Sequence, residues 1–150
     1  MPYPYEVVTA LFEQVKNHPA LSGVTVLKNT TELQELDDAL EDGDALIVIR
    51  DGDPGEGEGV LGGFRAKYYS HVIDVEEYVR AESDDARDLK LHDLHRKLVI
   101  ALESDITLGG LVQAMEYDEP PGEIEAIEGA TDIKSALTGI AVDYQSGPSA

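Results

Sequence analysis

Histidines are the side chains of this sequence that exchange protons near neutral pH, so a search for catalysis begins with the four of them. His92 and His95 are three residues apart on a predicted helix, but no acidic residue flanks them in a known metal-ligand spacing. We predict a surface or edge position for both. Neither His18 nor His71 has a serine or aspartate whose spacing by itself indicates a catalytic triad. The sequence therefore predicts that the protein is not an enzyme.

A second candidate for chemistry is the glycine-rich stretch 51–58, Asp-Gly-Asp-Pro-Gly-Glu-Gly-Glu, which resembles the opening of a calcium-binding loop. Its later ligand positions are glycines and no helix pattern follows, so a specific calcium site is not expected. No Gly-Lys-Ser or Gly-Lys-Thr follows either, which argues against a phosphate-binding loop. We predict no metal and no other cofactor, and we interpret residues 50–63, with six glycines, as a flexible loop.

Length and charge limit the class of protein. A chain of 150 residues without cysteine is predicted to form a single domain, residues 1–150, with no disulfide framework. Eleven basic residues against 31 acidic ones give a net charge of -20. Such a surface repels phosphate backbones and anionic lipids, so we expect neither specific nucleic-acid binding nor membrane association. No apolar run is long enough to span a membrane, and we expect a soluble protein.

The negative charge is concentrated in two segments. Residues 31–59 hold eleven acidic residues against one arginine, and residues 104–132 hold eight with no lysine or arginine. Residues 60–103 mix nine acidic with seven basic residues, as ordinary surface does. Two interpretations remain open. The acidic segments either solvate the surface, as in adaptation to salt, or form an anionic wall with a specific role.

Hydrophobic periodicity predicts the elements that position these residues. In chain order they are a helix over 5–17, strands over 24–27 and 45–49, a long strand over 64–80, a helix from Ser83 to near Ser104, and strands over 111–117 and 131–144. A short acidic helix over 31–40 is also indicated, and residues 145–150 are predicted to be a disordered tail.

The order of these elements predicts an α+β fold, with a mainly antiparallel β-sheet packed against two main helices. Fully extended, residues 64–80 would span about 55 Å, which is long for a domain of this size. We therefore expect a projecting β-hairpin or long loop arm. Alternation along this strand places Tyr69, His71, Ile73, Val75 and Val79 on one face.

Four runs of residues stand in a characteristic order along the chain: 64–75 (FRAKYYSHVIDV), 98–102 (LVIAL), 107–110 (TLGG) and 140–144 (IAVDY). Together they resemble the tail terminator proteins, also called minor tail or tail-completion proteins, of long-tailed bacteriophages and gene transfer agents. The resemblance covers about residues 5–145 and depends on the order of elements and the TLGG turn, without a catalytic signature. The strong acidity and the glycine-rich and glutamate-rich loop depart from the family pattern.

The resemblance implies a small subunit of a virion. Six copies would form a ring on the head-proximal end of the tail tube, end its growth and join it to the neck or head. Its partners would be further copies of itself, the tail tube protein and a neck or head-completion protein, assembled in the host cytoplasm. DNA would pass through the ring without specific binding, and no membrane is involved.

Two groups of residues are the predicted contact sites of such a ring. From the segment of balanced charge, the predicted subunit or tube interface consists of Arg65, Lys67, Tyr69, His71 and Arg96. Because carboxylates repel passing phosphates, the predicted channel or loop residues are acidic: Asp51, Asp53, Glu56, Glu58, Asp118 and Glu119. The alternatives are a related neck, head-closure or tail-tube protein, or a small acyl-transferase or hydrolase, which would need a convergent nucleophile and base.

Overall fold

Two α-helices and seven strands are found in the part of the chain that the computed structural model describes, residues 3–29, 38, 40, 44–52, 54, 55, 57–59, 67–118, 121–127 and 130–146. The helices are α1 (Pro4–Asn17) and α2 (Asp84–Glu103), and a 3-10 turn follows α1 at Pro19–Leu21. The strands are β1 (Thr25–Lys28), β2 (Ala45–Ile49), β3 (Glu58–Gly59), β4 (Lys67–Arg80), β5 (Ala114–Glu116), β6 (Glu123–Ile127) and β7 (Ala130–Ser146).

The strands form one open sheet in the order β1-β2-β4-β7-β5, with β3 paired to β4 and β6 paired to β7. β1 and β2 are parallel, and the other described pairs are antiparallel. The longest pairing joins β4 to β7, from Lys67 opposite Ser146 to Arg80 opposite Ile133. Apart from the two-residue β3, two helices pack on a six-strand, mostly antiparallel sheet, and this confirms the predicted α+β fold class.

Both helices begin where local chemistry predicts, and α1 also ends there. Pro4 opens α1, where its missing N–H is no loss, and the helix stops before His18, because the residue preceding a proline disfavours helical geometry. Ser83 caps α2 by accepting a hydrogen bond from the Ala86 N–H at 3.1 Å. Of the described helices, neither is long and apolar enough to cross a membrane.

The two faces of the sheet differ in what covers them. We call the face under α1 and α2 the helix face, and the opposite one the open face. Alternate residues of β4 and β7 meet the helices in the main core, with Ile73, Val75, Ile140 and Val142 all fully buried. The open face has a smaller core at the β1–β2 side: Leu40, Leu46, Val48, Tyr78 and Ile133.

Several strands differ from their predicted extent. The described part of the long strand begins at Lys67, and β5 covers three residues where seven were expected. The acidic sequence of β6 hid an edge strand, in which Glu123 and Glu125 alternate with apolar residues. Gln145 and Ser146 pair with β4 and therefore belong to β7, so the predicted disordered tail does not begin at residue 145. The predicted helix at 31–40 and residues 147–150 lie outside the described residues, apart from positions 38 and 40.

Part of the predicted flexible loop, residues 50–63, packs against β4. Gly52 has a φ of 67°, and a Cβ at this position would collide with the Val72 carbonyl oxygen. Gly57 lies against the Tyr69 ring in the same way. Glu58 and Gly59 then form β3 on the edge of β4. The described part of this loop therefore follows the sheet and does not project from it.

Candidate functional site

The open face of the sheet carries a patch of exposed apolar side chains beside β7. Val72 and Leu137 keep 45% and 43% of their surface exposed, although both lie within long paired strands. Val72 is opposite Ala141, and Gly139 lies between Ala141 and Leu137 on the same face. The Val72 side chain extends over Gly139, where a Cβ would lie 3.2 Å from Val72 Cγ1. We call Val72, Leu137, Gly139 and Ala141 the open-face patch.

Carboxylates surround the open-face patch. Asp74 is paired with Gly139, Glu116 with Ala141, and Asp143 with Ser70, so all three acidic side chains project from the same face. None of the three forms an ion pair with a residue that the structure describes. The patch is therefore apolar at its centre and negative at its edge, which suits contact with an apolar surface that carries positive charge.

Glu76, on the same face, is already neutralised. It forms an ion pair with Arg50 and accepts a hydrogen bond from the Tyr78 hydroxyl at 2.9 Å. Burial, followed by this hydrogen bond, raises the pKa of Tyr78 to about 12. Glu76, Arg50 and Tyr78 therefore satisfy one another on the part of the open face next to β2. The carboxylates without an ion pair among the described residues, those of Asp74, Glu116 and Asp143, lie next to β7 or on it.

On the helix face, His71 lies in a buried, uncharged network. The ring is 1% exposed, with Nε2 2.6 Å from the Asp51 carbonyl oxygen and Nδ1 2.9 Å from the Tyr144 hydroxyl. A carbonyl can only accept, so Nε2 donates to it, and in the neutral ring Nδ1 then accepts from the Tyr144 hydroxyl. Burial raises the pKa of Tyr144 to about 12, which keeps its hydroxyl protonated. The Tyr69 ring stacks on Tyr144 at a centroid distance of 5.7 Å.

His95 lies in a second buried network, which contains a carboxylate. Its Nδ1 is 2.7 Å from Oε1 of Glu77, which is fully buried, and its Nε2 is 3.0 Å from the Asp118 carbonyl oxygen. The Thr138 hydroxyl donates to the same Oε1 at 3.1 Å. One proton lies between Nδ1 and Oε1, so the pair has no net charge wherever that proton resides. Glu77 Oε2 has no hydrogen-bond partner among the described residues.

The surface or edge prediction is wrong for His95, which is 1% exposed, whereas His92 is exposed. Sequence reasoning also missed Glu77. Two signals mark these positions. His95 follows Leu91 by four residues on the buried stripe of α2, and Glu77 lies between Val75 and Val79 in the alternation of β4. An acid and a base that both fall on buried positions predict a pair.

The predicted interface residues are separated by the fold. Lys67 is exposed at the start of β4, and Tyr69 is half-buried against Tyr144. His71, on the same strand, is 1% exposed and both its ring nitrogens are hydrogen-bonded within the chain, so it is not on the surface that a partner could contact. Arg96 is exposed on α2, and Arg65 lies outside the described residues.

The predicted channel residues also fall into separate places. Asp51 is exposed, with Oδ1 accepting from Asn29 Nδ2 at 3.1 Å, and Glu58 lies on β3 nearby. Asp118 is exposed where its carbonyl meets His95, at the level of position 77 of β4. Positions 71 and 77 of that strand are about 20 Å apart. The other three predicted residues, Asp53, Glu56 and Glu119, lie outside the described residues.

Metal-ligating side chains do not converge in the described part of the chain, where no group of three or more His, Cys, Asp or Glu residues is placed to hold an ion. A groove of about 160 Å³ beside His71 is formed by the start of α1 and the loop after β2, with Tyr5, Val8, Gly52 and Pro54 among its lining residues. The two nitrogens of His71 are already hydrogen-bonded, so this histidine offers no free nitrogen to the groove.

No protein-family model and no curated protein sequence matches this chain significantly.

Proposed function

We propose that this chain is a structural virion protein of the tail terminator type. Copies of it form a ring that caps the head-proximal end of a phage-type tail tube, ends tube growth and joins the tail to the neck or head. The runs that carry the resemblance are neighbours in the fold. The described part of 64–75 belongs to β4, 140–144 lies beside it on β7, and 98–102 and 107–110 are the end of α2 and the turn that follows.

The observation that carries the proposal is the open-face patch. Soluble domains seldom leave aliphatic side chains from two central strands of a sheet exposed, and such patches mark contact sites. Here Val72 and Leu137 are held on the rigid β4–β7 pair, so the patch has a fixed shape that a neighbouring subunit can cover. A ring requires such a surface on every copy.

The charge of the chain fits a ring around DNA. At a net charge of -20 per copy, the subunits repel the phosphate backbone, which favours passage over binding. The same charge opposes association of the copies when salt is low, since the Debye length is about 30 Å at 0.01 M and about 10 Å at 0.1 M. Assembly is therefore promoted by salt, and the partners at the two ends of the ring are the tail tube protein and a neck or head-completion protein.

The test measures mass in solution and position in the particle. Light scattering across a salt series is expected to show a hexamer whose share of the protein increases with ionic strength. Electron microscopy of purified tails is expected to show the ring at the head-proximal end. A protein that stays monomeric at every salt concentration and is missing from tails contradicts the proposal. Density in the neck or along the tube instead supports the alternative neck, head-closure or tail-tube assignment.

DNA transit gives a second test. Lysine in place of Asp51 and Glu58 is expected to retain passing phosphates and to slow DNA delivery, more at low salt than at high salt. Glu13→Lys is the matched control, since Glu13 is exposed on α1 and not among the predicted channel residues. Normal delivery from fully joined particles of the double variant would show that these acids face away from the channel.

A further inference from the structure

The solvent-exposed side of α2 carries two large apolar side chains in line. Leu89 is 73% exposed and Ile100 is 45% exposed, with the exposed Arg96 between them. Spacings of seven and eleven residues place all three on one side of a helix, opposite the buried stripe that contains Leu91 and Leu98. This side of a surface helix is normally polar. We call Leu89, Arg96 and Ile100 the helix stripe.

Arg96 differs from the other basic residues of α2. Lys90 lies 3.2 Å from Asp44, and Lys97 lies 3.2 Å from Asp93. Arg87 contacts Asp84 at 3.8 Å. Arg96 has no ion pair with any residue in the described ranges, although the chain as a whole has almost three acidic residues for each basic one. Its guanidinium is therefore available to a partner.

The helix stripe and the open-face patch are complementary. The stripe offers two aliphatic side chains around a guanidinium, and the patch offers two aliphatic side chains with the carboxylates of Asp74, Glu116 and Asp143 beside them. The aliphatic pairs also have similar spans. Residues 89 and 100 are about 16 Å apart along the helix axis, and residues 72 and 137 are about 14 Å apart on the sheet.

The two surfaces point in opposite directions. α2 packs its buried stripe on the helix face of the sheet, so the helix stripe faces outward on one side of the molecule and the open-face patch on the other. One copy cannot join them, whereas two copies can. Two open-face patches meeting each other would instead bring their unpaired carboxylates together, and this repulsion disfavours a symmetric sheet-to-sheet dimer.

We propose that the helix stripe of one copy packs on the open-face patch of the next copy, with Arg96 paired to the carboxylates beside it. The inference rests on the proposed ring and names the surfaces that build it. The contact is head-to-tail, because different surfaces meet, and such a contact gives a ring when the rotation between neighbouring copies closes and an open filament when it does not. The planar guanidinium can hold a carboxylate through two hydrogen bonds, which fixes the orientation of the neighbour.

The test uses two double variants that each remove one surface. The helix variant is Leu89→Gln/Ile100→Gln, and the sheet variant is Val72→Thr/Leu137→Thr, which keeps a strand-favouring residue at both positions. Each alone is expected to associate about tenfold or more weakly than the original protein. An equimolar mixture is expected to form a dimer of one copy of each, since one intact junction remains, and to stop there.

Two single changes serve as matched controls. Ile106→Gln alters an isoleucine of similar exposure, 48%, outside the helix stripe, and Ile124→Thr alters a 39% exposed residue on β6. Ile124 is paired with Ala136, so it lies on the helix face, while Leu137 lies on the open face. Both controls are expected to associate normally. If they weaken assembly as much as the double variants do, the effect is not specific to these surfaces.

The arginine is tested by Arg96→Gln, with Lys97→Gln as its control because Lys97 is already paired to Asp93. Only the arginine change is expected to weaken association. Two results overturn the inference: association of both double variants at the strength of the original protein, or a mixture without the mixed dimer. A mixed dimer together with purified tails that lack a ring supports the inference and contradicts the proposed function. Conversely, if each double variant by itself still forms rings on tails, the proposed function is supported and the inference is wrong.

Discussion

Two buried histidines on the helix face of the sheet each hold a loop carbonyl by a hydrogen bond, but their second partners differ in charge. His71 and His95 each donate from Nε2 to a backbone carbonyl outside the regular elements, that of Asp51 at 2.6 Å and that of Asp118 at 3.0 Å. Their other nitrogens differ. Nδ1 of His71 faces the Tyr144 hydroxyl at 2.9 Å, and Nδ1 of His95 faces the Glu77 carboxylate at 2.7 Å.

The difference teaches how the cost of losing a partner depends on charge. In the His71 network no carboxylate takes part, so removing one group leaves an unsatisfied hydrogen bond. In the His95 network the proton between histidine and carboxylate keeps the pair neutral, so removing the histidine leaves the fully buried Glu77 without its charge partner and with only the Thr138 hydroxyl as a donor. Two residues of one type, buried to the same degree, therefore make unequal contributions to stability.

The largest effect is expected for His95→Leu. An uncompensated buried carboxylate costs about 3–5 kcal/mol, which lowers the free energy of unfolding measured by urea titration at pH 7. Replacing both partners, His95→Leu with Glu77→Leu, removes the charge and is expected to recover most of that loss. A single variant that loses less than about 1 kcal/mol, or a double variant no better than the single one, contradicts the assignment of a charge pair.

The neutral network is expected to show a smaller effect. Tyr144→Phe leaves Nδ1 of His71 without its donor and keeps the stacked ring, so the loss in unfolding free energy at pH 7 is about 1–3 kcal/mol. Urea titration of this variant beside His95→Leu compares the two networks directly. A loss equal to or larger than that of His95→Leu would remove the distinction between them.

Alkaline pH separates the same two networks. Burial raises the pKa of Tyr144 from 10.0 to about 12, so between these values the folded protein binds more protons than the unfolded chain. The stability contribution of this hydroxyl is complete below pH 10 and is lost as the pH rises toward 12. The Tyr144→Phe variant is therefore expected to lose less stability between pH 9 and pH 11.5. Part of the alkaline loss of stability is expected to remain in the variant, because the pKa of Tyr78 is also raised to about 12. Equal slopes in both proteins would contradict the burial of this hydroxyl.

The smallest effect is expected for His92→Ala, which sharpens the comparison as a control on the same helix. His92 is exposed three residues before His95, so its replacement is expected to change the unfolding free energy by less than about 0.5 kcal/mol. A larger loss would indicate that any substitution in α2 destabilises the helix, and that loss of the buried pair is not the cause of the effect at His95.

Local signals predicted much of this fold. Pro4, the His18-Pro19 step and Ser83 give the ends of the helices, and the apolar run 45–49 gives a central strand. The pairing of Glu77 with His95 could not be read in the same way, since the partners lie on different elements and meet only when α2 packs on β4. β6 escaped detection although Glu123 and Glu125 alternate with apolar residues, because the segment is short and rich in glutamate, which is uncommon in strands.

The candidate surface shows the same limit. Alternation along β4 and β7 places Val72 and Leu137 on the face opposite Ile73 and Ala136, and this much is present in the sequence. Whether that face is covered depends on where both helices pack, which local patterns do not specify. The helix stripe differs in this respect, because the apolar periodicity of α2 already predicts Leu91, Leu94 and Leu98 as its buried side and thereby places Leu89 and Ile100 opposite.

The pairing of β4 with β7 also determines when the chain can fold during translation. β7 is the last described strand to leave the ribosome, yet β4, β5 and β6 all pair with it. Until it emerges, β5 and β6 have no neighbour in the sheet and one edge of β4 stays open, a state that invites pairing between nascent chains. Contacts between residues so distant in sequence also form slowly. The excess of carboxylates opposes such pairing, because the like charges of two unfinished chains repel each other.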